Sequence, residues 1–431
     1  MLRSDEQRSM GYRQILTKGH FWKLWGSQAI SLIAQNLLNY TLIIRAAELS
    51  QGTPLANVSV ALVILAFGIP SILFAAVAGV YVDTWSRKRV LFVSNLIRAV
   101  LLLSYLFVET NLILMLIVTF LVSTVTQFFA PAEAAAIPRL VDKKNLVSAN
   151  ALFVSTFYIA FIIGYVSAAP LLSAVGVEIS YITASVMFAL SAALITILPN
   201  IGGHHRDVKA PSLGEGARHM LSALKHNTQL ILKKRELYFP IAQLMFVQAI
   251  ISVLLVFAPA ISLALLKGPL KDTSMFLVLP AAIGMALGVV SVGRLARSVA
   301  SIKIMKVGIL VAGLAMLGIG LAGQLYRSLG VLPLSVTQVS FIVAALVLLV
   351  GMSNAIVSIV GQTTLQRGTT DADRGKVFGA LNMMLNIALT VPVFFAAVAA
   401  DLLSVTKVVT LVGLIVVGIA IAQMPRKSRI D

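Results

Sequence analysis

The chain has 431 residues, 59% of them hydrophobic and 12% charged, with a mean hydropathy of +0.95. Soluble domains carry about 25% charged residues, so water is excluded as the main solvent and the long uncharged runs make this a polytopic membrane protein. The absence of cysteine excludes disulfides, cysteine-ligated zinc and a cysteine nucleophile, and the formal net charge of +18 remains to be explained.

In chain order, residues 1–21 form a polar tail of mixed charge with no cleavable signal, so the first span is expected to serve as its own insertion signal. A span needs about 20 mainly apolar residues. By that measure the sequence predicts twelve, at 22–48, 57–82, 89–108, 111–134, 146–173, 176–198, 238–266, 273–296, 302–323, 336–364, 374–400 and 404–423. Backbone groups must be satisfied inside hydrocarbon, so these spans are helices and the fold class is an all-α membrane protein.

The first span carries Gln28, Ser31, Gln35 and Asn39 on one stripe at helical spacing, with Asn36 beside it. Arg45 and Glu48, three apart near its far end, are placed to pair with each other. Between the second and third spans lies Gly79-Val80-Tyr81-Val82-Asp83-Thr84-Trp85-Ser86-Arg87-Lys88-Arg89, a glycine-led turn that is acidic and then basic. Arg98 falls about nine residues into the third span, near mid-depth, where a lone arginine costs at least about 2.5–3.5 kcal/mol. It requires a partner, and Asn95 is near. Two roles stay open, a structural cluster or a part in transport. The fourth span holds Gln127 with Thr119 and Ser123 close by, and Glu133 in Pro131-Ala132-Glu133 at its inner end.

Residues 199–237 are the longest hydrophilic stretch. Gly202, Gly203, Pro211 and Gly214 mark a linker, and Leu213, Ala217, Met220, Leu221, Leu224, Ile231 and Leu232 place an amphipathic helix on the inner leaflet, with a partner-binding helix as the alternative. Beyond it, Gln243 and Gln248 lie in the seventh span, Asn354, Gln362 and Gln366 in the tenth, and Asn382 and Asn386 in the eleventh. Asp401, near an outer end, can reach water. Every third span from the first thus bears amides, as does the eleventh. Individually they can be interhelical glue, worth about 0.6 kcal/mol each; as a periodic set they read as the lining of a substrate cavity.

Orientation follows from lysine and arginine. With the N-terminus in the cytoplasm, 28 of the 34 basic residues fall in inner segments and 4 in outer ones, which puts both termini inside. The asymmetry also accounts for the net charge without nucleic acid. The linker divides the chain six plus six, into a bundle at 22–198 and another at 238–423, followed by a tail at 424–431. The connection Pro138–Asn150 echoes Leu365–Gly379: each puts an arginine at a helix end, then mixed charge, then a small-residue helix start. Weak repeats of this kind mark a transporter built around a central path.

Twelve spans, inner termini, the central linker and the 79–89 turn together resemble the major facilitator superfamily. That family's loop reads Gly-x-x-x-Asp-Arg-x-Gly-Arg-Arg/Lys-Arg/Lys; Gly79, Asp83, Arg87, Lys88 and Arg89 match it, while Thr84 and Ser86 depart from it. The resemblance implies a latch that stabilises one access state, with Gly79 allowing close helix approach. Phe129 to Ala132, Leu146 to Asn150 and Arg374 to Phe378 resemble the branch that holds macrolide and other drug efflux proteins and the enterobactin exporter. A Gly-Pro motif usual in the fifth helix of its antiporters is replaced by Gly164-Tyr165 with a later Pro170. The acid usual early in the first helix is replaced by Gln35 and Asn36.

The expected function is export of an amphipathic small molecule, drug-like or siderophore-like, by alternating access in the inner (cytoplasmic) membrane. Proton coupling is implied by the resemblance alone. An uncoupled facilitator or lipid-type translocator is the alternative. A membrane-embedded enzyme would need a nucleophile, base or metal cluster, and the five histidines (20, 204, 205, 219 and 226) lie in cytoplasmic segments without ligand spacing to acids. No phosphate-binding loop occurs. The protein is expected to need no cofactor, metal or nucleic acid, to work as a monomer, and to meet only its substrate, protons and the bilayer.

Overall fold

The structure, a computed structural model, describes Leu16 and residues 19–142, 145–201, 235–263, 274–328, 335–369 and 371–423. The amphipathic segment expected at 213–232 and the C-terminal tail lie outside them, as do the side chains of Asp83 and of residues 371–376. The helices are α1 (Phe21–Leu49), α2 (Ala56–Thr84), α3 (Arg87–Val108), α4 (Leu112–Leu140), α5 (Leu146–Thr196), α6 (Arg235–Ile261), α7 (Leu279–Ser298), α8 (Ser301–Ser328), α9 (Val336–Gly368), α10 (Asp371–Leu403) and α11 (Val405–Ala422), with a π-helical turn at Ser274–Val278.

Among the described residues, ten helical stretches are long and apolar enough to cross a membrane. Helix α1 is not one of them, because charges at both ends and its amide stripe lower its hydropathy. Where two spans were expected at 146–173 and 176–198, the structure has the single 51-residue run α5. At 1.5 Å per residue such a rod would be more than twice the roughly 30 Å hydrocarbon thickness. It is broken at Gly176, with φ 83° and ψ 177°, a conformation essentially reserved for glycine. The break falls in the gap between the two expected spans. Local signals set other helix starts. The Asn111 side chain accepts from the Ile113 and Leu114 amides at the head of α4, and Ser335 and Gln338 form a reciprocal capping box on α9. Proline is tolerated inside α2, α4, α5, α6 and α10, as it is in membrane helices whose neighbours re-satisfy the freed carbonyls.

The chain divides into two compact units. One holds α1 to Arg45, α2 from Ile69, and α3, α4 and α5; the other holds Ala46–Gly68 and α6 to α11. In the first, α3 packs on α4 and α5. Phe21, Leu24, Val90, Leu91, Phe129, Ile137 and Phe153 gather there in a buried apolar cluster where α1, α3, α4 and α5 meet. In the second, α8 packs on α9 and α11, α7 on α9, and α6 on α9 and α10. A smaller cluster there joins Leu237, Ile241, Leu244, Leu365, Val377 and Leu381. Large apolar residues on the outer faces are exposed, such as Phe107 at 85% and Val290 at 75%, as helices solvated by lipid require.

A Cβ at position 176 would touch nothing within 4 Å, so the cost of Gly176→Ala is backbone strain alone. It is expected to be about 1–3 kcal/mol, read as a lower thermal midpoint of the purified protein in detergent.

Candidate functional site

The first unit places a buried polar network at the crossing of α1, α3 and α5. Asn95 is fully buried; its amide donates to Ser191 Oγ at 2.7 Å, and its carbonyl accepts from the Arg98 guanidinium. Ser191 in turn bonds Ser27, hydroxyl to hydroxyl at 2.7 Å and hydroxyl to the Ser27 carbonyl at 2.8 Å. Arg98, 2% exposed, stacks its guanidinium carbon 4.5 Å from the ring centroids of both Phe129 and Phe188. The charge it faces is Glu133 on α4, whose buried Oε1 has no hydrogen-bond partner among the described residues. The expected Asn95 partner is therefore present. Glu133, which sequence placed at the inner end of its span, is drawn inward to face Arg98. Ser27 and Ser191 were not singled out in the sequence, because small hydroxyl residues are common in membrane helices and carry no distinguishing spacing.

Along α1 the amide stripe stays on a largely buried face. Ser31 bonds the Gln28 carbonyl, and Gln35 donates to Asn39 at 2.9 Å. Asn39 also faces the hydroxyl of Tyr165 on α5. The buried Oε1 atoms of Gln28 and Gln35 have no hydrogen-bond partner among the described residues. Helix α5 comes this close to α1 because position 164 is glycine, where a Cβ would lie 2.5 Å from the Asn36 side chain and 2.9 Å from the Ile33 carbonyl. Gln127, half-buried, bonds only within its own helix in the geometry seen here, to the Ser123 carbonyl.

The amides of the second unit divide by use. Gln243, fully buried, donates to Gln423 at 2.7 Å, and Asn354 donates to the Val247 carbonyl at 3.3 Å. Both tie helices together, and the buried Oε1 of Gln243 has no hydrogen-bond partner among the described residues. Gln248, Gln362 and Asn386 are half-buried and Asn382 is exposed, with Asn386 bonding the Asn382 carbonyl one turn back.

The basic end of the 79–89 turn is also put to structural use. Lys88 donates to the carbonyls of Thr196 and Leu198, and Lys23 to that of Ile197. Two cations thus close the C-terminus of α5, where the helix dipole favours them. Arg87 is buried at the start of α3 and Arg89 is exposed. A Cβ at Gly79 would meet nothing within 4 Å. Asp83 lies on α2, its side chain outside the description. Arg45 meets Glu109, on the turn after α3, at 3.6 Å, and donates to its carbonyl. Among the described residues no group of three histidine, aspartate or glutamate side chains is arranged to hold a metal ion.

Asn95→Ala removes both the donor to Ser191 and the acceptor of a buried cation. The expected loss is about 1–3 kcal/mol, seen as a lower thermal midpoint, with Ser191→Ala losing less.

Comparison with known proteins agrees with this architecture. The sequence profile described as the Major Facilitator Superfamily matches residues 24–391. Macrolide efflux protein A of Streptococcus pyogenes is 26% identical over 411 residues, covering 93% of this chain and 94% of that protein. The uncharacterized MFS-type transporter YkuC of Bacillus subtilis (strain 168) is 30% identical over 133 residues, about a third of either chain. Among solved structures, the nucleoside transporter NupG superposes with a TM-score of 0.70 at 15% identity, covering 94% of this chain and 98% of that one. A bacterial homolog of the human lysosomal transporter Spinster, inward-facing and unoccupied, gives 0.71 at 12% identity, with 96% of each chain covered.

Proposed function

This chain belongs to the Major Facilitator Superfamily, and we propose that it is a secondary transporter exporting amphipathic, drug-like small molecules by proton-coupled alternating access. On this reading it has twelve spans, counting α1 and dividing α5 at Gly176, arranged as bundles at 22–198 and 238–423 joined by the linker at 199–237. Both termini face the cytoplasm. The two echoing connections support the division, since each borders an apolar cluster within its own unit. Full-length similarity to a macrolide efflux protein supports the substrate class and the direction.

The observation that carries the reading is the buried polar face of α1. Carbonyl oxygens of Gln28 and Gln35 without partners among the described residues, beside Tyr165 and Asn39, offer acceptors to hydroxyl and amine groups and an aromatic wall to the apolar part of the same molecule. Gln127, Gln248, Gln362, Asn382 and Asn386 are further lining candidates. Proton coupling is assigned to Glu133. A carboxyl facing a buried arginine changes the net charge of its surroundings each time it binds a proton, and so biases one access state over the other. This supplies the acid that α1 lacks. The 79–89 turn, with Gly79, Asp83, Arg87, Lys88 and Arg89, is assigned the gating role that the family signature implies.

The test is erythromycin accumulation in an efflux-deficient host. Expression is expected to lower accumulation, Gln35→Ala to weaken export about fivefold, the worth of one hydrogen bond, and a protonophore to abolish it. Glu133→Gln, a mimic of the protonated acid, is expected to remove the dependence of export on pH. Export that survives the protonophore, with Glu133→Gln behaving as the parent, would establish the uncoupled facilitator instead. Asp83→Asn is expected to slow export while leaving membrane insertion intact; unchanged export would reduce Asp83 to a structural role.

A further inference from the structure

Asp401 lies two residues before the end of α10, where the sequence suggests a carboxylate reaching into water. It is instead fully engaged. Its Oδ1 accepts from the Asn57 backbone amide at 3.0 Å and from the Asn57 side chain at 2.7 Å, and its Oδ2 accepts from the Val58 amide at 3.0 Å. Those amides belong to the first turn of α2, which begins at Ala56. Leu55, the residue before it, has no side-chain oxygen to cap them. An acid 344 residues away in sequence supplies the cap, with charge-assisted bonds at the positive end of the helix dipole.

The contact continues along both helices in antiparallel register. Eleven residues beyond Asn57 is Gly68, and eleven residues before Asp401 is Thr390. A Cβ on Gly68 would lie 2.1 Å from Thr390 Oγ1, so only glycine admits this spacing. The segment Ala46–Gly68 accordingly packs within the same compact unit as α6 to α11, although chain order assigns it to the first six spans.

The geometry points to Asp401 as a latch: its carboxylate holds the outer end of α2 against α10 and must release when the outer side opens. The inference rests on the alternating access and orientation proposed above. Its chemistry suits reversible use. The carboxylate is half-buried, so water can take over both sets of bonds once the helices part. An apolar contact of the same area would have no such exchange partner.

The natural absence of cysteine gives a direct test. Ser59, 6% exposed and one turn into α2, is replaced as Ser59→Cys, and its modification by a membrane-impermeant maleimide is timed in cells at equal protein abundance. Adding Asp401→Ala is expected to raise the labelling rate about threefold to thirtyfold, the range for loss of a helix cap. Gly68→Ala, which wedges the same pair apart, is expected to raise it as well, and Thr390→Ala to reverse that rise. Equal rates with and without Asp401→Ala would overturn the latch. If erythromycin still changes the labelling of Ser59→Cys in that case, alternating access stands and only the latch falls.

Discussion

Hydrocarbon supplies no hydrogen-bond partner, so a guanidinium set deep within a membrane helix has to bring its surroundings with it. Arg98 does this with parts of four helices: the Asn95 carbonyl one turn back on α3, Phe129 and Glu133 on α4, Phe188 on α5, and, through Asn95, the paired hydroxyls of Ser191 and Ser27. Each partner satisfies another, so the helices of the first unit are held in one register by a network that loses its balance if any member leaves. The same arrangement carries the unit's concentration of buried charge. The acid to which proton coupling is assigned above therefore faces the same arginine that the packing has to satisfy.

Helix ends present a second form of the same constraint. Lysines 23 and 88 serve the last carbonyls of α5, Lys306 donates to the Gln423 carbonyl beyond α11, and Asp401 serves the first amides of α2. Cations sit at C-termini and an anion at an N-terminus, as the dipole demands. Part of the basic excess is therefore fixed in the structure. Lys88, read from the sequence as one of three equivalent charges in a surface turn, is a capping residue, while Arg89 beside it faces outward.

Much of the candidate site was legible because polarity is rare in such a sequence. In a chain with 12% charged residues, an arginine flanked by an asparagine three residues earlier stands out, and helical periodicity alone makes that pair adjacent. The α1 stripe was legible for the same reason. What periodicity could not separate was an amide facing a cavity from an amide facing another helix. Gln243 and Asn354 donate to Gln423 and to the Val247 carbonyl, partners 180 and 107 residues away, although the Oε1 of Gln243, like those of Gln28 and Gln35, is buried with no hydrogen-bond partner among the described residues. Nor does spacing tell which glycines pack tightly: a Cβ would clash at Gly164 and Gly68 but would meet nothing within 4 Å at Gly79.

The sequence by itself determined the membrane class, the helical architecture, the family and the residues that had to find partners, because each follows from local composition, from spacing along a helix or from a short signature. Only the tertiary structure decided which partners they found. It set Glu133 facing Arg98 from the next helix, set Glu109 against Arg45, and carried Asp401 from the end of α10 to the start of α2. The reason is physical: burial creates the demand for a partner at a known position, but the partner is chosen by which helix faces lie together, and that is fixed by packing between segments far apart in the chain.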